Sequence, residues 1–134
     1  MRRLVATLRV ALALVLLAFG ASTAFGQKVE VTSSSPPEAK LAAIDLGTPY
    51  VERSLIQRYG RLLNNAQRWC TQSRTRIADM TAKSVEILRE QYGKRVTNLQ
   101  VLEFFDTMMR EAKLSEKQDC APLFTLVVIG MGGT

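Results

Sequence analysis

The sequence predicts an all-α fold: an antiparallel helical hairpin or a small three-helix bundle, stapled by one disulfide and preceded by a disordered N-terminal arm. Apolar residues recur every three or four positions between Leu55 and Met80, which is the spacing of one buried helix face. A capping-box pattern, Thr97 followed by Gln100, precedes a second apolar run. The chain of 134 residues also contains two cysteines. Together these observations indicate one small helical domain.

Residues 1–26 have the order of a secretory signal peptide: a basic start, an apolar stretch, and small residues before Gln27. We predict cleavage after Gly26 and export to the periplasm, or alternatively to the extracellular space. An uncleaved membrane anchor is the competing interpretation. The uncharged stretch over 10–26 is at the short edge of what can span a bilayer.

Removal of the signal peptide lowers the net charge. The whole chain has 18 lysines and arginines against 12 aspartates and glutamates, a formal net charge of +6. Three of those basic residues, Arg2, Arg3 and Arg9, lie in the predicted signal peptide, so the remaining chain has a net charge of +3. This modest charge and the predicted export argue against a nucleic-acid partner.

Residues 27–47 are predicted to form a flexible arm or linker, because their first part is rich in serine and proline and poor in large apolar residues. Charged and apolar residues alternate over 28–31, so a short strand there is an open alternative. One or two helical turns are expected over 41–46, ending at Gly47. The helical domain is predicted to cover residues 48–131, with a tail over 132–134.

The first long helix is predicted to begin at Thr48-Pro49, where a hydroxyl can cap the helix and proline suits the first helical position. Its buried face has residues at helical spacing: Leu55, Tyr59, Leu62, Ala66, Trp69, Ser73, Ile77 and Met80. Gly93 is expected to end the helix. Gly60 and Asn64-Asn65 are poor helix formers, so the helix over 48–92 is either continuous or broken near them.

Two further helical segments are predicted. The capping box at Thr97 begins the second helix, and Ser115 with Gln118 repeats the pattern for a third. Pro122 would start or kink that third segment. The β-branched residues within 123–131 also permit a strand, and the choice between helix and strand stays open on sequence alone.

Cys70 and Cys120 are predicted to form a structural disulfide, which is the default for two cysteines in an exported chain. A helix from Cys70 to Tyr92 rises about 33 Å, and a returning helix over 97–113 covers about 24 Å. The chain therefore comes back close to Cys70. In the chain-entropy model, closing such a loop contributes about 4 kcal/mol.

Six arginines lie between Glu52 and Asp79, without an acidic residue among them. Helical spacing places Arg58, Arg61, Arg68 and Arg76 opposite the apolar face, with Arg53 and Arg74 flanking them. Two interpretations stay open. The arginines form either an ordinary solvated surface or a docking face for an acidic protein, an anionic lipid or an acidic polymer.

The residue inventory argues against catalysis, metal binding and cofactors. The chain has no histidine, which removes histidine-based acid–base catalysis and histidine metal ligands. Two bonded cysteines cannot supply a thiolate nucleophile or a zinc site. The glycines near the C-terminus precede no helix that could hold a phosphate. A Ser–Lys dyad stays open, but we expect a protein that is not an enzyme and has no cofactor or metal.

The segments V-T-N-L-Q (96–100) and L-S-E-K-Q (114–118) are similar to the L-T-x-x-Q element of small periplasmic helical stress chaperones. The likeness covers ten residues and helix capping accounts for both copies, so we assign no family. We expect an exported binding or accessory protein of the inhibitor, immunity, adaptor or chaperone type, with an envelope or extracellular protein as partner. The alternative is a membrane-surface protein that binds anionic lipid through its arginine face.

Overall fold

The computed structural model describes residues 26–133, which are mostly helical. The elements in chain order are β1 (Lys28–Glu30), α1 (Pro37–Leu46), β2 (Tyr50–Glu52), α2 (Arg53–Trp69), α3 (Arg74–Tyr92), α4 (Asn98–Ala112) and α5 (Ala121–Gly132). The helical, disulfide-bonded character matches the prediction. The described residues contain five helices and a two-stranded sheet, where a hairpin or three-helix bundle was expected.

The prediction of a flexible arm over 27–47 is wrong, although the helical turns expected over 41–46 are present and the short strand left open at 28–31 forms. Strand β1 pairs antiparallel with β2, and Val29 lies opposite Val51. Helix α1 begins at a pair of prolines and ends at Gly47, which has the left-handed conformation (φ 69°) that favours glycine. Its inner face buries Ala39, Leu41 and Ala42. A segment poor in large apolar residues therefore still contributes a buried face, formed by two alanines and one leucine.

The predicted helix start at Thr48-Pro49 is also wrong. Residues 50–52 form β2, and helix α2 begins only at Arg53. The Thr48 hydroxyl accepts a hydrogen bond from the Tyr50 N–H at 3.2 Å rather than capping a helix. The side chain of Val51 is fully buried. Pairing with β1 and burial of Val51 therefore override the local start signal.

The long helix predicted over 48–92 is in two pieces, but the break lies at residues 70–73 rather than near Gly60 or Asn64-Asn65. The chain at Cys70 pairs with the segment before α5. Gln118 N–H donates to the Trp69 carbonyl at 2.7 Å, and Thr71 N–H donates to the Gln118 carbonyl at 2.8 Å. Ser73, expected on the buried face, instead caps α3 by accepting from the Arg76 N–H.

Helix α4 begins as predicted, with both hydrogen bonds of the capping box at Thr97 and Gln100 formed. The third predicted helical segment begins later than expected. Ser115 caps no helix, residues 113–120 form a loop, and α5 begins at Ala121 with Pro122 in its first turn. Residues 123–131 are helical rather than extended, and α5 reaches Gly132, one residue beyond the predicted domain end.

All five helices contribute to one core. Phe105 lies near its centre, stacked on Phe124 with ring centroids 4.5 Å apart and edge-on to Trp69 at 6.4 Å. Trp69 therefore packs against the core, as expected. Among residues 26–133, no helix is both long and apolar enough to cross a membrane.

The disulfide between Cys70 and Cys120 is confirmed. The two Cα atoms are 5.4 Å apart, and both residues are buried in the core. Gln72 adds a further link, because its side-chain carbonyl accepts from the Cys120 N–H at 3.1 Å. The start of α5 is thereby fixed to the chain segment that joins α2 to α3.

Candidate functional site

Arg74, expected to flank the docking face, instead joins three helices. Its guanidinium donates to the Glu38 carboxylate at 3.2 Å, to the Gly60 carbonyl at 3.2 Å and to the Gln67 amide at 3.3 Å. It also bonds to the side chain of Asn64. The Cβ atom of any larger residue at Gly60 would lie 3.4 Å from this guanidinium. Arg74 is therefore a structural residue that links α1, α2 and α3.

Three of the predicted docking arginines, Arg58, Arg61 and Arg68, line one open groove of about 460 Å³ between α2 and α4. We call it the arginine groove. Arg110 of α4 joins them and was not predicted. Arg110 lies on a different helix, so the residue spacing within the first predicted helix does not indicate it. The remaining lining residues are Leu62, Asn64, Asn65 and Glu103.

Arg76 does not belong to this groove. It lies in α3, beyond the break at 70–73, and lines a different groove beside α5. Arg53 is exposed at the first position of α2 and does not line the arginine groove. The predicted four-residue face is therefore divided between two surfaces.

Two of the four guanidinium groups in the arginine groove have acidic partners. Arg58 pairs with Glu103, and Arg110 pairs with Asp106 at 2.8 Å. Asp106 also accepts from the Asn65 amide at 3.2 Å, and this hydrogen bond links α4 to α2 beside the groove.

Arg61 and Arg68 are exposed and have no ion pair or side-chain hydrogen bond within residues 26–133. The four arginines of the groove thus have only two acidic partners, Glu103 and Asp106. The guanidinium groups of Arg61 and Arg68 therefore have N–H donors available for a ligand. A planar guanidinium can donate two parallel hydrogen bonds to a carboxylate or a phosphate.

A second polar cluster, around Asp45, is structural. The Asp45 carboxylate accepts from the backbone N–H of Asn98 at 2.8 Å and of Leu99 at 3.0 Å, so it caps the start of α4. Tyr59 donates its hydroxyl to the same carboxylate. Burial, together with this bond, raises the pKa of Tyr59 above the usual tyrosine range. Asp45 lay in the segment predicted to be flexible, so sequence reasoning missed the cluster.

The described part of the chain offers no group of three or more histidine, cysteine, aspartate or glutamate side chains that could hold a metal ion. No family model matches the chain, and no curated protein or solved structure matches it significantly. A function can therefore be proposed only from the arginine groove and from the disulfide-bonded helical fold that carries it.

Proposed function

We propose that this protein is an exported, non-enzymatic binding or accessory protein whose arginine groove binds an acidic segment of another envelope or extracellular protein. The observation that carries the proposal is the charge surplus of the groove. Arg61 and Arg68 are exposed between two helices, without a partner in the described residues. An inhibitor, an immunity protein, an adaptor or a chaperone would each use such a surface.

Binding is favoured over catalysis by the chemistry of the residues at hand. The chain has no histidine, and both cysteines are bonded to each other. The carboxylates of Glu103 and Asp106 are each held by an arginine, which suits a recognition surface better than proton transfer.

Export is supported by the signal-peptide pattern over 1–26, of which residues 1–25 lie outside the described part of the chain, and by the disulfide. Disulfides persist in oxidising compartments and are rare in the cytosol. The periplasm is the favoured location, with the extracellular space as the alternative.

An acidic protein segment is favoured over an anionic lipid surface because of the carboxylates on α4. Glu103 lines both the arginine groove and the groove between α4 and α5, and Glu111 is exposed and lines the second of these grooves. A flat anionic bilayer that reached both the arginines and α5 would meet these carboxylates. An extended peptide can lie along the groove and avoid Glu111.

The proposal can be tested with two defined probes: a fluorescent oligo-glutamate peptide and vesicles that contain phosphatidylglycerol. We expect salt-sensitive binding of the peptide, which Arg61→Gln with Arg68→Gln weakens at least about tenfold, a loss of about 1.4 kcal/mol. The matched control is Arg53→Gln with Arg95→Gln. It removes the same charge from exposed positions outside the groove and should leave binding close to the wild-type level.

Equal weakening by the two double variants would mean that net charge attracts the peptide and that the groove has no special role. Binding to the vesicles alone would support the membrane-surface alternative. Circular dichroism of each variant checks that the fold is intact.

A further inference from the structure

Helix α5 presents an unpartnered apolar surface. Its inner face, Phe124, Val127 and Val128, is buried in the core. On its outer face, Leu126 and Ile129 are 53% and 55% exposed. No charged residue occurs anywhere in α5. The outer face is therefore an uncharged apolar ridge.

Grooves of opposite charge lie on either side of this ridge. The groove between α4 and α5, about 570 Å³, is lined by two carboxylates, Glu103 and Glu111, and by no basic residue. Glu103 is paired with Arg58 of the arginine groove, so within residues 26–133 Glu111 supplies the unpaired negative charge. The groove between α3 and α5, about 440 Å³, is lined by Arg76 and Lys83 and by no acidic residue. We call them the acidic groove and the basic groove. Their walls also contain large apolar side chains, among them Phe104 and Ile87.

We propose that the α5 ridge is a self-association surface, on which a second copy of this chain docks in a symmetric dimer. A two-fold axis parallel to α5 places the ridges of the two copies side by side. The same rotation reverses the order of the two grooves across the ridge. The acidic groove of each copy therefore faces the basic groove of the other. Such an isologous interface uses the same surface patch twice, and this patch is complementary to itself in both apolarity and charge.

The direction of α3 relative to α5 allows the facing charges to be named. A Cβ atom at Gly132 would lie 2.5 Å from the ring of Tyr92, so the C-terminal ends of α3 and α5 are adjacent. The disulfide holds the chain before α5 close to the chain before α3, so the two helices run in the same direction. Lys83, nine residues before Tyr92, therefore lies level with Leu123, nine residues before Gly132.

Glu111 is suitably placed to meet that lysine. It is the lining residue of the acidic groove farthest along α4 from Phe104, whose ring lies against Gly130 near the C-terminal end of α5. Lys94, which precedes α4, donates to the Met131 carbonyl at 3.1 Å, so α4 begins near the C-terminal end of α5 and runs toward its start. Glu111 thus lies toward the first half of α5, as Lys83 does. Glu111 has no ion pair within residues 26–133, and Lys83 has only an exposed one with Glu86 at 3.5 Å. Both side chains can turn toward a partner copy.

The first experiment measures the dimer directly by sedimentation equilibrium over a concentration series, with the protein in the form isolated from cells. We expect a monomer–dimer equilibrium that Ile129→Glu weakens at least tenfold. The matched control is Ile44→Glu, at an exposed apolar residue of α1 that lines neither groove beside the ridge, and should leave the equilibrium unchanged. A wild-type protein that stays monomeric throughout, or equal effects of both variants, would overturn the proposal.

The second experiment tests the two-fold geometry by charge exchange. Lys83→Glu and Glu111→Lys should each weaken the dimer several-fold, because each places like charges opposite one another. The double variant should recover the wild-type dissociation constant. An equimolar mixture of the two single variants should form a heterodimer, because both of its charge pairs are again complementary.

Additive weakening in the double variant, together with no heterodimer, would refute this interface. Sedimentation with vesicles provides the remaining check. Binding to vesicles that depends on Ile129, without any dimer in solution, would assign the ridge to lipid and overturn self-association.

Discussion

Replacement of Arg74 by alanine tests whether one arginine of the run has a structural role. The side chains of Arg74 and Glu38 are only 24% and 18% exposed, so their ion pair is better shielded from water than an exposed pair. A hydrogen bond to a charged group contributes about 1.5–3 kcal/mol. The guanidinium makes several, but they share one side chain and are partly solvated, so they do not add fully. We therefore expect Arg74→Ala to cost about 2–4 kcal/mol of the free energy of unfolding.

Urea denaturation, followed by circular dichroism, measures this loss. With a slope of about 2 kcal/mol per molar urea, which is typical of a small domain, the midpoint should fall by roughly 1–2 M. Arg61→Ala is the control, since Arg61 is exposed and has no partner within residues 26–133. It should change stability by no more than about 0.5 kcal/mol.

Arg74→Lys refines the test, because a single ammonium group cannot reach several acceptors in a fixed plane. It should lose an intermediate amount of stability. A midpoint for Arg74→Ala equal to that of Arg61→Ala would refute the reasoning, since the contacts to Glu38 and to the Gly60 carbonyl would then contribute nothing measurable.

Cys70→Ser should lower the free energy of unfolding by about 2–5 kcal/mol, because the bridge joins residues 50 positions apart; an unchanged urea midpoint would contradict this. Above pH about 10, the wild-type protein should lose stability faster than Tyr59→Phe, by about 1.4 kcal/mol per pH unit. The pKa of Tyr59 is raised in the folded protein, so only the unfolded chain releases that proton, and parallel pH profiles would disprove the assignment. Intact-mass measurement of the protein isolated from its cells should give a chain that begins at Gln27, and a full-length mass would exclude cleavage.

Sequence reasoning succeeded where the cause of the structure is local. The capping box at Thr97 depends on residues three positions apart, and both of its hydrogen bonds form. The disulfide could be predicted because the chain has only two cysteines. The apolar spacing identified helical residues on both sides of the break at 70–73, because burial of one face is a property of each helix alone.

The errors have non-local causes. Residues 27–47 are ordered by partners far along the chain: β1 by β2, and Asp45 by the start of α4, 53 positions away. The break at 70–73 is fixed by Gln118 and interrupts the helical phase. Arg74 and Arg76 therefore do not follow the spacing that places Arg58 and Arg61. For the same reason, Arg110 could not be assigned to the groove before the packing of α4 on α2 was known.

If the chain is exported as proposed, the spacing of its two cysteines has a consequence for how the disulfide forms. If the chain enters an oxidising compartment N-terminus first, Cys70 arrives well before Cys120. A chain with two cysteines can form no incorrect intramolecular disulfide, so no isomerase is needed to correct its pairing, and a two-electron oxidant is sufficient. The incorrect product is an intermolecular disulfide, because the thiol of Cys70 can react only with another molecule until residue 120 arrives. Early burial of Cys70 would protect its thiol from such reactions during that interval.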